Sequence, residues 1–229
     1  MSWFERHPLR TDSRSIALLA IFSAMVIALE VFPIVGITDF KPVPTVPSFT
    51  LDWTGIPIMI IFLGLGFVYA LIGVLMAGLG IILHGNLIGA VFKVAAESFT
   101  ILGLLSAREL GRRMKWKRAP TVFAYVILAA LSRSLGMYVG NIVLLPVLVV
   151  LSFDIAVVIS ATLVPWNAIQ AVINVAGGVF LYYLIPENLA LQAGLGDDAD
   201  SASSRFEELP PDEISDSQMG ESSLTSKAG

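Results

Sequence analysis

The 229-residue chain contains no cysteine and only two histidines, His7 and His84. That excludes disulfides, thiolate zinc sites and cysteine nucleophiles, and with them most redox chemistry. Charge is scarce too, at 14% of residues, where a soluble domain carries roughly 25%. The 14 basic residues are outnumbered by 18 acidic ones, whereas a nucleic-acid binder usually presents a net basic face, so no nucleic-acid partner is expected. There is no His-Glu-x-x-His pattern, no nucleophile elbow and no P-loop, and the acids form no metal-ligand cluster. We therefore expect neither an enzyme, nor a bound metal, nor a cofactor. What is abundant is apolar: 56% of residues are hydrophobic. Too little charge remains to cover a water-facing surface, so the chain reads as an all-α integral membrane protein.

The net charge of −4 conceals two unlike segments. Residues 187–229 hold ten acids and two bases, with much Ser, Gly and Ala and with Phe206 as the only aromatic. Such a composition buries too little apolar surface to offset the entropy of ordering, and reads as a disordered acidic tail. Without it the body has 12 bases and 8 acids. Three segments follow: an N-terminal piece over 1–14, a membrane domain over 15–186 and the tail over 187–229.

A helix needs about 20 apolar residues to cross the hydrocarbon core. Residues 15–36, 88–107, 120–150 and 159–185 each supply one such run. Residues 53–84 are apolar throughout, too long for one ordinary span, with a candidate reversal at Gly64-Leu65-Gly66. Charge decides that case. Arg6, Arg10 and Arg14 precede the first run, and Arg108, Arg112, Arg113, Lys115, Lys117 and Arg118 follow the run that ends at 107. The positive-inside rule puts both groups in the cytoplasm, so an even number of crossings separates them and 53–84 must cross twice. A six-transmembrane-helix bundle in the cell membrane results, with both termini cytoplasmic. The first run is expected to be a full span rather than a cleaved signal peptide.

Ionisable groups inside a membrane are expensive and therefore informative. Here they are Glu30, Lys93, Glu97 and Arg133. In the orientation above Glu30 lies near the outer end of the first span. Lys93 lies one to two turns below the outer surface on the fourth, with Glu97 one turn deeper on the same face, continued by Thr100. A helix-stabilising ion pair, extended to Arg133, would explain them structurally; the wall of a ligand pocket would explain them functionally. The sixth span is expected to begin at its outer end with Val164-Pro165-Trp166-Asn167, and Asn167, Gln170 and Asn174 form a stripe on it, which must face protein or a cavity. Asn141 shares a face of the fifth span with Arg133. Phe49, Trp53, Tyr138 and Trp166 gather at the same end, where an interfacial aromatic belt is the plainer reading of Trp53. Together these groups suit a flat, hydrogen-bonding small molecule held at the outer side. On the first span Ala20, Ala24 and Ala28 recur every fourth residue, a spacing that admits close approach of another helix, within the bundle or from another subunit.

Four local patterns stand in a fixed order: Ala20-Ile21-Phe22-Ser23-Ala24; Leu51-Asp52-Trp53-Thr54-Gly55-Ile56-Pro57; Asn141 shortly before Pro146; and Pro165-Trp166-Asn167 followed by Gln170. Over about residues 15–186 this layout resembles the substrate-binding S component of energy-coupling factor (ECF) transporters, most of all the riboflavin-type members. The resemblance implies capture of a vitamin, riboflavin or a related flavin, for uptake driven by a transmembrane coupling subunit and ATPase subunits. It implies that Ala20, Ala24 and Ala28 face the coupling subunit and that Leu51, Asn141 and Asn167 lie near ligand. Lys93, Glu97, Gln170 and Asn174 join the candidate set by position. Gln170 departs from the pattern, which has Lys there. Asp52 is also a candidate N-cap for the second helix. The rival reading is a stand-alone, proton-coupled secondary carrier of a small vitamin-like molecule, with Glu97 or Glu30 as its proton site.

Overall fold

The computed structural model describes residues 12–34, 36, 37, 39–43, 49–186, 189, 190 and 195. These form six helices and one short antiparallel hairpin. In chain order they are α1 (Ser13–Val31), β1 (Asp39–Phe40), β2 (Leu51–Asp52), α2 (Gly55–Gly64), α3 (Phe67–Leu83), α4 (Leu87–Met114), α5 (Arg118–Leu148) and α6 (Phe153–Leu184). In the hairpin Asp39 lies opposite Asp52 and Phe40 opposite Leu51.

Local chemistry sets most of the boundaries. Asp12 caps α1, its carboxylate accepting from the Ser15 amide at 3.0 Å and the Ser15 hydroxyl at 2.8 Å. The helix ends at Val31, with Phe32 already outside the helical region, because Pro33 disfavours helical geometry in the residue before it. The first span is therefore shorter than the apolar run to 36. Between α2 and α3 the chain reverses at Gly66, whose φ of 101° is open to a residue without a Cβ. Asn86 caps α4 by accepting from the Gly89 amide at 2.8 Å.

Two further boundaries differ from the sequence expectation. Helix α4 runs on to Met114, so Arg108, Arg112 and Arg113 are helical rather than part of a loop. Arg112 and Arg113 occupy its last turn, where cations complement the negative end of the helix dipole. Arg108 turns inward and lies over the Phe62 ring at 4.7 Å, a cation–π contact that keeps its charge close to apolar packing. Helix α6 begins at Phe153 and carries Pro165 inside it, so the Pro165-Trp166-Asn167 pattern lies about three turns into the helix rather than at its start.

Four helices, α1, α4, α5 and α6, are long and apolar enough to cross a membrane; α2 and α3 are shorter apolar helices. At ten residues α2 is about 15 Å long, half the thickness of the hydrocarbon core. Its sequence is apolar on every side, and all of its residues but Ile56 are buried. That is the signature of a helix enclosed by others, and α1, α3 and α6 pack around it. On the other side α5 lies along both α4 and α6, and α3 bridges α1 and α4. Close approach of α1 and α3 depends on Gly80, where an added Cβ would sit 2.7 Å from the Cβ of Glu30.

Packing continues beyond Pro186. Ala190 is fully buried, and Leu195 lies against Gly64. The rest of the acidic tail, and the N-terminal piece up to residue 11, lie outside the described residues.

Candidate functional site

The hairpin brings Asp52 of β2 to Lys93 on α4 and to Gln170 near the middle of α6, and the polar residues of the bundle meet there. Lys93, on α4, is the hub. Its ammonium lies 2.5 Å from Asp52 Oδ2, 2.5 Å from Thr54 Oγ1, 3.2 Å from Glu30 Oε1 and 3.6 Å from Glu97 Oε1. One cation thus joins α1, the hairpin, the start of α2 and its own helix. The i, i+4 pairing with Glu97 is the longest of these contacts, so the structure uses Lys93 mainly for tertiary links.

Glu97 is only 1% exposed, and its main partner is Arg133 on α5 at 2.8 Å. Arg133 also donates to the Thr100 hydroxyl at 3.1 Å and to Asn167 Oδ1 at 3.4 Å. Asn174 on α6 donates to Glu97 at 3.5 Å and accepts from Gln170 at 2.9 Å. A buried carboxylate on this scale needs such partners, because desolvation without them costs several kcal/mol. The pairing of Glu97 with Arg133, expected as the structural explanation, is present.

Gln170 closes the ring. Its side-chain oxygen accepts from the Asp52 amide at 3.0 Å, and its nitrogen donates to the Asp52 carbonyl at 2.5 Å. The side-chain amide thereby pairs with a strand backbone much as a neighbouring strand would. With Asn174 added, three of its four hydrogen-bonding capacities are engaged within the protein. Asn167 is similarly engaged, donating to the Leu163 carbonyl at 3.0 Å. Gly55 allows this crowding, since a Cβ there would overlap the Asn174 side chain.

Asp52 is not the N-cap of α2; Thr54 holds that position. The Asp52 carboxylate instead accepts from the Thr54 amide at 3.1 Å and from its hydroxyl at 2.5 Å, an Asx-type turn that leads into the helix. Burial alone would raise the Asp52 carboxyl. The Lys93 ammonium, the Thr54 hydroxyl and the more distant Arg133 charge outweigh it and hold the group below the usual carboxylate range.

The candidate residues fall in four places. Lys93, Glu97, Asn167, Gln170 and Asn174 belong to one buried web. Leu51 is half-buried on β2 beside it. Asn141 is buried on α5, about two turns beyond Arg133, and its Nδ2 meets no acceptor among the described residues. Ala20, Ala24 and Ala28 are exposed along α1, on a side that also presents Ile21 and Met25. Asp52, Thr54, Glu30 and Arg133 join the web as well, outside the set that the sequence assigned to ligand contact. Glu30 and Arg133 carried a signal, as charges within apolar runs. Thr54 and Asp52 stood in the Leu51–Pro57 pattern, but that pattern gave neither a site role, and Asp52 was named only as a possible cap.

No family model and no curated protein matches the sequence. Among solved structures, the chain is similar to the S component of a bacterial ECF transporter, with a TM-score of 0.59 and 21% identity. The alignment covers 75% of this chain and 95% of that one. Fold is what a likeness at this identity establishes. The chain therefore has the all-helical membrane fold of an ECF transporter S component.

Proposed function

We propose that this protein is a membrane-embedded S component of an ECF-type importer. It would capture riboflavin or a related flavin from outside and pass it on for uptake driven by ATP hydrolysis in partner subunits. The observation that carries this reading is the buried polar web under the hairpin, together with the Asn141 Nδ2 on the helix of Arg133, which meets no acceptor among the described residues. A buried donor without an acceptor costs about 1–3 kcal/mol, and a bound molecule offering a carbonyl or ring nitrogen would recover it. The positive-inside rule supports an outward-facing hairpin, since the basic residues 108–118 lie at the opposite end of α4 from Lys93.

In this reading Lys93 and Gln170 hold the hairpin down over the site through Asp52. Leu51 and the aromatic residues near it supply apolar contact, while Asn141, with Asn167 and Asn174 behind it, supplies hydrogen-bonding direction. Helix α1 would meet the coupling subunit through Ala20, Ala24 and Ala28, whose small side chains permit close helix approach.

The full chain purified in detergent should carry a flavin, seen as visible absorbance and identified by mass after extraction. Uptake of that flavin into cells or vesicles should require co-expressed coupling and ATPase subunits. A co-purifying molecule of another class would remove the flavin assignment, and uptake without any ATPase partner would remove the importer reading.

A further inference from the structure

The far end of α4 from Lys93 is basic. Only Lys115, Trp116 and Lys117 separate α4 from α5, so the cations there crowd into one turn. That turn is fixed by its own hydrogen bonds. The Lys115 amide donates to the Arg112 carbonyl at 3.3 Å and the Trp116 amide to the Gly111 carbonyl at 3.0 Å. Trp116 packs against the apolar core, while Lys115 and Lys117 on either side of it are exposed, as is Arg113. None of these three cations meets a carboxylate among the described residues. Glu109, the only acid between residues 98 and 118, pairs with Arg112 at 3.3 Å.

An acidic segment of the same chain starts beside this turn. Arg118 lies over the Tyr183 ring at 3.6 Å, which sets the turn against the last residues of α6. Beyond Pro186 the chain returns to the bundle. Leu195, 4% exposed, donates its amide to the Ala190 carbonyl at 2.8 Å and lies against Gly64. Gly64 is two residues from Phe62, whose ring carries Arg108 at 4.7 Å, so Leu195 is pinned at the basic end. After Leu195 come 34 residues with nine acids and two bases. Glu207 stands twelve residues past that anchor, a reach of up to about 40 Å. Lys115 is only about 10 Å further along α4 than Arg108.

We infer that the acidic residues between 197 and 216 dock on the turn formed by Arg113, Lys115 and Lys117. Exposed ion pairs are individually weak and are screened by salt. The tether at Leu195 offsets this by holding many acids near the turn at an effective concentration in the millimolar range. An anionic lipid headgroup matches the charge but has no tether, and is the rival occupant. The docking is independent of what the site under the hairpin binds.

Since the chain has no cysteine, two can be introduced for spin labels: Ala119→Cys beside the turn and Ser215→Cys between Glu213 and Asp216. Pulsed electron paramagnetic resonance on the full chain in detergent should show a short, narrow distance population at low salt. That population should fall at least about threefold in about 1 M salt, where the Debye length is about 3 Å. Replacing Arg113, Lys115 and Lys117 with Ser should lower it as much at low salt. If that variant does not fold, Glu207→Gln, Glu208→Gln, Asp212→Asn and Glu213→Gln together serve instead, since they leave every residue of the helices unchanged. A broad distribution that neither salt nor substitution alters overturns the inference, and so does a short one that survives both. In nanodiscs containing phosphatidylglycerol the short population should persist. Its loss there, but not in phosphatidylcholine alone, would give the turn to lipid headgroups and overturn the acidic segment as its occupant.

Discussion

Asn141 and Gln170 are both buried amides of the candidate site, yet they stand in opposite states. Gln170 is almost fully engaged by Asp52 and Asn174, whereas the Nδ2 of Asn141 has nothing to donate to among the described residues. Their truncations should therefore act on different quantities. Asn141→Ala is expected to weaken flavin binding by about 1–3 kcal/mol while leaving the ligand-free protein as stable as before or slightly more so. Calorimetric titration and thermal unfolding of the same preparation would check both signs, and a loss of ligand-free stability would make Asn141 a structural residue. The sequence pointed to both amides, because amides on an apolar helix stand out by their cost. It could not distinguish them, since the partner that occupies Gln170 is a backbone segment 118 residues away. The lysine that the resembling pattern places at this position would lack the acceptor needed to pair with the Asp52 amide, so the departure fits the hairpin contact found here.

At the scale of the helix, α1 has two roles on two faces. Val26 and Ser23 are buried, and Glu30 reaches Lys93, while Ala20, Ala24 and Ala28 stay exposed. Spacing alone announced the alanine face, because every fourth residue of a helix returns to one side. Which way it points depends on where α2 and α3 pack, and no local pattern holds that. Replacing Ala24 with Trp should leave flavin affinity within about twofold but abolish ATP-dependent uptake, by keeping a partner helix at a distance. Uptake at the wild-type rate would show that another face meets the coupling subunit. The helices that the sequence read least well are those whose ends lack a conventional signal. Basic residues do not stop α4, because charged side chains are good helix formers and Arg108 finds an aromatic face within the bundle. Pro165 does not begin α6, because a long membrane helix tolerates a proline where neighbouring helices re-satisfy its backbone.

The molecule as a whole is held at one end by a single ammonium. Lys93 links α1, the hairpin and α4, and through Asp52 and Gln170 it reaches α6. The number of helices followed from apolar length and from the few charges. That those charges converge on one atom follows only from tertiary packing. Lys93→Met tests the consequence, since it retains much of the side-chain volume and removes the charge. Three carboxylates would then face one another with Arg133 alone to balance them, and breaking a buried pair in this way typically costs 3–5 kcal/mol. The pH dependence should distinguish this cause from a packing defect. In the wild type, Asp52 is held below the usual carboxylate range, so its contribution is complete at neutral pH. That contribution is lost only as acidification protonates the folded protein's own carboxyl. In the variant the ammonium that lowers Asp52 is gone, and protonation relieves repulsion. Its thermal stability should therefore rise more steeply than that of the wild type as the pH falls from 7.5 to 5. Parallel pH profiles for the two proteins would show that Lys93 acts through its packing and not through its charge.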